Sequence, residues 1–187
     1  TVEASDVLFE QDGSVITVNG VNISRFNIPY GNGIIHVIDA VLIEPDASTV
    51  ASTLGATTLA TAITAAGLET TLDDAGPFTL LAPSNAAFDA LEASSPGITA
   101  ALLDPANVTS LTEVLTYHVV NGASLNEAAL IAGSPITMLD TNDITVTGPS
   151  PATINGSTTI TLADFLIDNG QTHVIDEVLI PPGFVAP

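Results

Sequence analysis

One segment, HVIDEVLIPP at residues 173–182, occurs earlier in the chain almost unchanged, as HVIDAVLIEP at residues 36–45. Each copy follows a turn that contains glycine, GNG at residues 31–33 and DNG at residues 168–170. Farther upstream, VNG ending at Gly20 corresponds to ING ending at Gly156, with a spacing of 136 residues where the first pair has 137. A single residue inserted between the two matching segments accounts for this difference in spacing. The chain therefore contains one sequence unit twice.

The spacing of the two copies is that of a domain, because solenoid repeats are only about 20 to 50 residues long. We predict that residues 1–45 are the C-terminal strand segment of a preceding repeat, and that residues 46–187 form one complete domain of the same kind. A segment as short as 1–45, with no helix to cover its strands, is too small to fold alone. We expect it to pack on another body, within the chain or by self-association, with strand addition as one route.

The charge balance excludes several kinds of partner. Arg25 is the only basic residue among 187, against 21 acidic residues, and the net charge is −20. Nucleic acid is excluded as a partner because binding to its backbone depends on Lys and Arg, and anionic membranes are disfavoured for the same reason. No run of 18 apolar residues occurs, so no membrane span is predicted. Such a surface repels itself, and salt or calcium should relieve that repulsion. We therefore expect a salty or calcium-rich setting, with a merely soluble acidic surface as the alternative.

The pattern of elements predicts an α+β fold. Residues 1–45 indicate strands, with Asn19 and Gly20 at a hairpin turn and a strand from residue 34 to 43. From residue 46 onward short helices come first, interrupted by a buried strand at 78–82, and strands dominate after Pro135. The expected helices cover 48–54, a segment capped by Thr57 or Thr58 and ended by Gly67, one after Asn85, 98–103, 107–116 and 125–132. The expected later strands are 117–120, 137–139, 144–147, 153–154, 158–167 and 173–180.

Three segments of the chain resemble the signature boxes of fasciclin (FAS1) domains. GPFTLLAPSNAAF at 76–88 is similar to the first box, LTYHVV at 115–120 to the central Tyr-His motif, and NGQTHVIDEVL at 169–179 to the second box. Residues 14–45 match only the C-terminal third of such a domain, with a second box at 32–42. The resemblance implies a wedge-shaped β-sandwich with helices packed on it, often in tandem. It also implies a secreted or cell-surface protein of adhesion or matrix type.

The first box has a structural interpretation of its own. Phe78 should alternate into a core, Pro83 should bend the chain, and Phe88 should return to the core one helical turn later. Ser84 or Asn85 can satisfy the free amides where the helix begins.

The second box and its earlier copy place a histidine where the chain enters a strand. His36 and His173 are each followed by an apolar pair and then by an aspartate, Asp39 or Asp176. We expect each histidine to bond to backbone and fasten a strand end, with a pH sensor as the alternative.

The Tyr-His motif, Tyr117 and His118, is linked by resemblance to receptor binding in fasciclin-type adhesion proteins. The apolar helix before it favours burial, and partner contact through Tyr117 and His118 remains the functional hypothesis. A triad of Ser84, His118 and an aspartate lacks the Gly-x-Ser-x-Gly elbow of a hydrolase. We therefore expect no catalytic residues and no enzyme activity.

Metal sites and modifications are weakly indicated. Cysteine is absent, and the acidic sequence beginning at Asp140 lacks the glycine and distal glutamate of an EF-hand, so we expect no metal site and no cofactor. Weak binding of calcium at the acidic surface stays open. Sequons at Asn22, Asn107 and Asn155 are potential glycosylation sites, although Asn107 also suits a helix cap and Asn155 a hairpin turn.

The leading functional hypothesis is a noncatalytic extracellular adhesion module from a tandem fasciclin-like protein, with contacts modulated by calcium or salt. Its partner would be a cell-surface or matrix protein, a polysaccharide or an abiotic surface. The alternative is a domain that binds a small ligand or a glycan in a cleft near Tyr117 and His118.

Overall fold

A computed structural model describes residues 9–12, 15–18, 21–42, 54–74 and 76–187. The chain divides into two compact units, Thr1–Pro45 and Asp46–Pro187. The helix predicted for residues 48–54 falls almost entirely outside the described residues. None of the helices in the described ranges combines the length and the apolar character needed to cross a membrane.

The first unit contains a four-stranded sheet, as its alternating and β-branched sequence predicts. Its strands are β1 Phe9–Asp12, β2 Val15–Val18, β3 Val21–Tyr30 and β4 Gly33–Ile38, in the order β1-β2-β3-β4. Every neighbouring pair is antiparallel. Strand β4 therefore lies at one edge of this sheet.

The second unit begins with short helices, most of which end or start at residues suited to a cap. They are α1 Thr57–Ala66, α2 Glu69–Asp74, α3 Asn85–Ser94, α4 Ile98–Leu102, a 3-10 turn at Pro105–Asn107, α5 Val108–Thr116 and α6 Glu127–Gly133. Gly67 ends α1 in the left-handed conformation, which glycine adopts without steric penalty. Ser84 begins α3, since its hydroxyl accepts a hydrogen bond from the amide of Ala87 at 3.2 Å.

The strands of the second unit form one large sheet and one small one. They are β5 Phe78–Pro83, β6 Val119–Asn121, β7 Ile136–Thr137, β8 Asp143–Ile144, β9 Val146–Thr147, β10 Thr153–Ile154, β11 Thr158–Ile167 and β12 Gly170–Ile175. The large sheet has the order β6-β5-β12-β11-β10-β9, and β7 pairs with β8. The β5–β12 pair is parallel. The predicted α+β class is confirmed.

Two apolar cores lie on opposite faces of the central strands β5 and β12. Phe78, Leu80 and Ala82 point to the side of the helices, where they join residues of α1, α3, α4 and α5. Leu81 and Ile175 point to the other side, where they meet α6 and the small strands. All six residues of β5 are buried. A strand covered on both faces needs a continuous apolar run, and FTLLAP supplies one.

The repeated tracts share one strand register. Adding 137 to each residue pair between β3 and β4 gives a pair between β11 and β12; Ile23–Ile38 becomes Ile160–Ile175, and Tyr30–Gly33 becomes Ile167–Gly170. Both hairpins shift register at the same two places. The residues Asn27 and Asp164, which correspond at these irregularities, both have positive φ, 55° and 67°. The repeated sequence therefore forms a repeated hairpin, with the same register and the same irregularities in both copies.

Several local predictions were wrong at their boundaries. Tyr117 and His118 form a turn after α5, and the strand starts only at Val119. The strand predicted for 173–180 begins earlier, at Gly170, and ends at Ile175. The start of α1 is not capped by Thr57 or Thr58; a side chain from α3 supplies that cap.

Candidate functional site

The Tyr-His motif places His118 entirely inside the second unit. Its Nδ1 donates a hydrogen bond to the carbonyl of Val114 at 2.7 Å, one turn back along α5. Its Nε2 accepts from the amide of Leu179 at 2.9 Å. One ring nitrogen donates and the other accepts, so these contacts require the neutral ring. Burial lowers the pKa of His118 to about 4, against the smaller opposing effects of the Val114 carbonyl and the Asp140 carboxylate.

Tyr117 is buried beside His118, with 2% of its surface exposed. Its hydroxyl donates to the carbonyl of Asp143 at 3.4 Å and accepts from the side-chain amide of Asn155 at 3.2 Å. These bonds tie the end of α5 to the small strands. Neither Tyr117 nor His118 reaches the surface of the folded unit, as the apolar helix before them predicts, and partner contact through them stays a prediction.

His173, in the second box, is also buried and bonded to backbone at both nitrogens. Its Nε2 donates to the carbonyl of Leu125 at 2.8 Å, and its Nδ1 accepts from the amide of Asp164 at 3.1 Å. Burial lowers the pKa of His173, while the Leu125 carbonyl and the carboxylates of Asp164 and Glu127 oppose that shift. The ring joins β12 to the bulge of β11 and to the loop before α6.

The earlier copy of this histidine, His36, has a different environment. It is exposed on β4 and lies edge-on to Phe26, with 6.2 Å between the ring centroids. His173 thus makes the bonds to backbone that were predicted for both histidines, whereas the described contact of His36 is with an aromatic ring.

The aspartates of the two second boxes have equivalent positions. Asp176 accepts from the amide of Thr159 at 2.6 Å through Oδ1, and Asp39 accepts from the side chain of Asn22 at 2.8 Å through Oδ2. The amide of each aspartate also donates to the carbonyl of that same partner residue. Each aspartate therefore fastens the end of one strand to the start of its neighbour.

The first box is built into the helical core. Phe78 and Phe88 are buried there, and Pro83 is buried at the end of β5. Asn85 connects two helices, since its Oδ1 accepts from the amide of Thr58 at 3.0 Å and its Nδ2 donates to the hydroxyl of Thr57 at 2.9 Å. Of the two residues predicted to cap α3, Ser84 does so, whereas Asn85 caps α1.

Two further buried polar residues, Thr79 and Glu127, make hydrogen bonds to backbone, and the sequence did not indicate either of them. Thr79 donates to the carbonyl of Ala123 and accepts from the amide of Leu125, both at 2.8 Å. Glu127 accepts from the amide of Ala152 at 2.7 Å through Oε1. A threonine within an apolar strand and an acid at the start of a helix are ordinary patterns, and only the tertiary contacts distinguish them.

The interior leaves little room for a ligand at the motif. The apolar cavity that touches His118 has a volume of about 10 Å³ and is lined mainly by residues of α1, α4 and α5. That space is about the size of one water molecule. A ligand-binding cleft at Tyr117 and His118 is therefore not supported. In the described ranges, no three His, Cys, Asp or Glu side chains lie close enough together to hold a metal ion.

The three sequon asparagines all use their side-chain amides within the protein. Asn22 donates to Asp39 at 2.8 Å, Asn107 to the carbonyl of Ala101 at 2.9 Å, and Asn155 to Tyr117 at 3.2 Å. Asn155 lies in the turn between β10 and β11, whereas Asn107 precedes α5 without capping it. Glycosylation of these residues stays a prediction.

Apart from His36, the motif residues described above connect helices, loops and strand ends by packing or by hydrogen bonds, so their role in the fold is structural. A family model described as Fasciclin domain matches residues 1–44 and 54–181, and the chain belongs to this family. The resemblance found in the sequence is confirmed.

Individual proteins agree with this assignment. The chain is 34% identical over 176 residues to Transforming growth factor-beta-induced protein ig-h3 of Sus scrofa, a match that covers 89% of this chain and 24% of that protein. It is 39% identical over 131 residues to Protein sll1483 of Synechocystis sp. (strain ATCC 27184 / PCC 6803 / Kazusa), with 67% of each covered. The chain thus spans about a quarter of the ig-h3 protein.

A solved structure shows the same fold. It is a FAS1 domain pair from the insect cell adhesion molecule Fasciclin I, with a TM-score of 0.75 and 18% sequence identity. The match covers 96% of this chain and 68% of that chain. The FAS1 fold expected from the sequence is confirmed.

Proposed function

We propose that this chain is a noncatalytic adhesion module of a secreted or cell-surface protein, taken from a tandem fasciclin array. Membership of the Fasciclin domain family supports the proposal. The structural relative is a domain pair from a cell adhesion molecule, which supports both the adhesion role and the tandem arrangement.

The observation that carries the proposal is the internal engagement of the motif histidines. His118 and His173 each use both ring nitrogens for bonds to backbone, and each is at most 1% exposed. A general base needs a free nitrogen within reach of its substrate. These rings have none, so function is left to the outer surface of the domain.

That outer surface is acidic, with a net charge of −20 for the chain. Two such surfaces repel each other over about 30 Å at 0.01 M salt and about 3 Å at 1 M. Contact with a matrix or cell-surface protein, a polysaccharide, an abiotic surface or another copy is then strengthened by calcium or salt. No dedicated cofactor is required, because weak surface binding of calcium is enough to reduce the repulsion.

A retention assay tests both parts of this proposal. Beads coated with the purified chain are passed over matrix proteins, polysaccharides and the chain itself. Retention is measured at low salt, at high salt, and at low salt with added calcium. We expect retention that rises with calcium and salt. No retention on any surface would contradict adhesion, and retention indifferent to both would contradict the charge effect alone.

The His118→Gln variant provides a matched control for the location of the contact. Glutamine removes the imidazole from the interior and leaves the surface unchanged. A folded variant should therefore be retained as well as the original chain. Loss of retention with the fold intact would show that the Tyr-His motif takes part in the contact.

A further inference from the structure

A groove on the second unit lies between one side of α3 and the segment that follows β12. Its volume is about 250 Å³. Four lining residues are spaced three or four apart along α3 and two follow β12: Ala87, Ala90, Leu91, Ser94, Glu177 and Val178. Pockets for small molecules typically have about 300–1,000 Å³, so this groove suits a single side chain.

The charged group on this groove is the carboxylate of Glu177, and two hydroxyl groups orient it. Its Oε2 accepts from the hydroxyl of Thr158 at 2.8 Å and from that of Ser157 at 3.0 Å. Thr158 is 2% exposed, so the donor that makes the shorter bond is fixed within the fold. Among the described residues no donor bonds to Oε1 of Glu177, and this oxygen therefore has its full capacity to accept.

Comparison of the two repeats indicates that this arrangement is not needed to form the hairpin. Glu177 corresponds to Ala40 and Thr158 to Val21, so the first copy has neither the carboxylate nor the hydroxyl. Both hairpins nevertheless have the same register and the same irregularities. The bond between Thr158 and Glu177 therefore serves something other than hairpin geometry, and its visible result is an oriented carboxylate beside the groove.

The composition of the second unit limits what can pair with Glu177. Residues 46–187 contain no Lys or Arg, so this unit cannot supply the cation itself. Lysine suits the site better than arginine, because a guanidinium pairs best with both oxygens of a carboxylate and Oε2 already has two donors. A lysine side chain packs its methylene groups on apolar surface while its ammonium group reaches a polar partner. Leu91 and Val178, which pack against the helical core, supply that apolar surface.

We propose that this groove binds a lysine side chain of a partner polypeptide, whose methylene groups lie against Leu91 and Val178 and whose ammonium group donates to Oε1 of Glu177. The inference rests on the proposed adhesion role, for which it names one contact and its chemistry. This ion pair weakens as salt rises, whereas contact between two acidic surfaces strengthens. The two kinds of contact are therefore distinguishable by their response to salt.

The test titrates the full isotope-labelled chain with a synthetic peptide that carries one lysine between glycines and has both ends blocked. Backbone NMR spectra are recorded in about 0.15 M salt as the peptide is added to millimolar concentration. We expect shifts of the amide signals of residues 87–94 and 177–178. A second peptide with acetylated lysine keeps the stem without the charge and should bind about fivefold more weakly.

Three variants separate the carboxylate from the groove and from the overall charge. Glu177→Gln keeps the shape of the side chain without its charge and should weaken binding about fivefold. Glu113→Gln makes the same change in net charge at an exposed position outside the lining, and it should bind as the original chain does. Ala90→Leu changes no charge and suits a helix, but its larger side chain should occupy the groove and weaken binding as well.

Several results would overturn the proposal. They are the absence of shifts at millimolar peptide, equal binding of the two peptides, and equal effects of Glu177→Gln and Glu113→Gln, which would indicate general attraction to an acidic surface. Undiminished binding by Ala90→Leu would place the contact outside the groove and would also overturn it. Retention in the bead assay without peptide binding would refute this site and leave adhesion standing, whereas peptide binding without retention would support the site and contradict adhesion.

Discussion

Protonation of His118 should make the second unit less stable as the pH falls from 7 to 5. Its pKa is about 4 in the folded chain, whereas an unperturbed histidine has a pKa near 6.5. The unfolded chain therefore binds more protons between these values, and the stabilisation present above pH 6.5 is lost progressively as the pH falls toward 4. The full difference corresponds to about 3 kcal/mol, of which about 2 kcal/mol is lost between pH 7 and pH 5.

The His118→Gln variant isolates this effect from the titration of other groups. Glutamine carries no charge, and its amide oxygen can still accept from the amide of Leu179. Urea unfolding followed by far-ultraviolet circular dichroism at pH 7 and pH 5 gives the free energy of unfolding of both proteins. The original chain should lose about 2 kcal/mol more than the variant over this interval.

Equal losses in the two proteins would refute this account of His118. Direct titration by NMR provides a check that does not depend on the variant folding. The ring signals of His118 should show no protonation above pH 5, because the ring is buried and its Nε2 accepts from the amide of Leu179. A titration midpoint near 6.5 would show that the ring is accessible to solvent and that the described bonds are not maintained.

Three further predictions follow from the packing and the charge. Asn85→Ala should lower the free energy of unfolding by about 1–2 kcal/mol in urea melts, since α1 loses the cap on Thr58; an unchanged value would contradict that role. Gly170→Ala should destabilise the second unit by about 3 kcal/mol or more through collision with Phe78, while Gly133→Ala should change it by less than about 0.5 kcal/mol. Raising sodium chloride from about 0.01 M to about 1 M should raise the thermal midpoint, because the acidic groups repel one another less; a lower midpoint would contradict this.

The sequence predicted well the features that depend on local pattern. The apolar run FTLLA at 78–82 predicts the buried strand that the structure extends to Pro83, and Gly67 predicts the end of a helix. Both signals are local: a covered strand needs apolar side chains on both faces, and a helix end tolerates glycine in the left-handed region. The repeat was recognised because its second copy has nearly the same residues in the same order.

The errors came from contacts between residues far apart in the chain. The cap of α1 comes from Asn85, 27 residues after Thr58, and no local pattern identifies such a distant acceptor. Tyr117 and His118 were expected in a strand with the apolar residues after them, but they lie in a turn, and their side chains bond to the backbone of Asp143 and Leu179. The burial of these two side chains is decided by the elements that pack around them, and partner binding through them stays a prediction.

Comparison of the two hairpins distinguishes the structural features that the local sequence determines from those that depend on packing against other elements. Registers, bulges and the positive φ of Asn27 and Asp164 agree between the copies, although among the described strands β12 has a neighbour on both sides and β4 on one. These features therefore do not depend on β5. The burial of His173 and the requirement for glycine at residue 170 do depend on the layers that precede β11 in the chain.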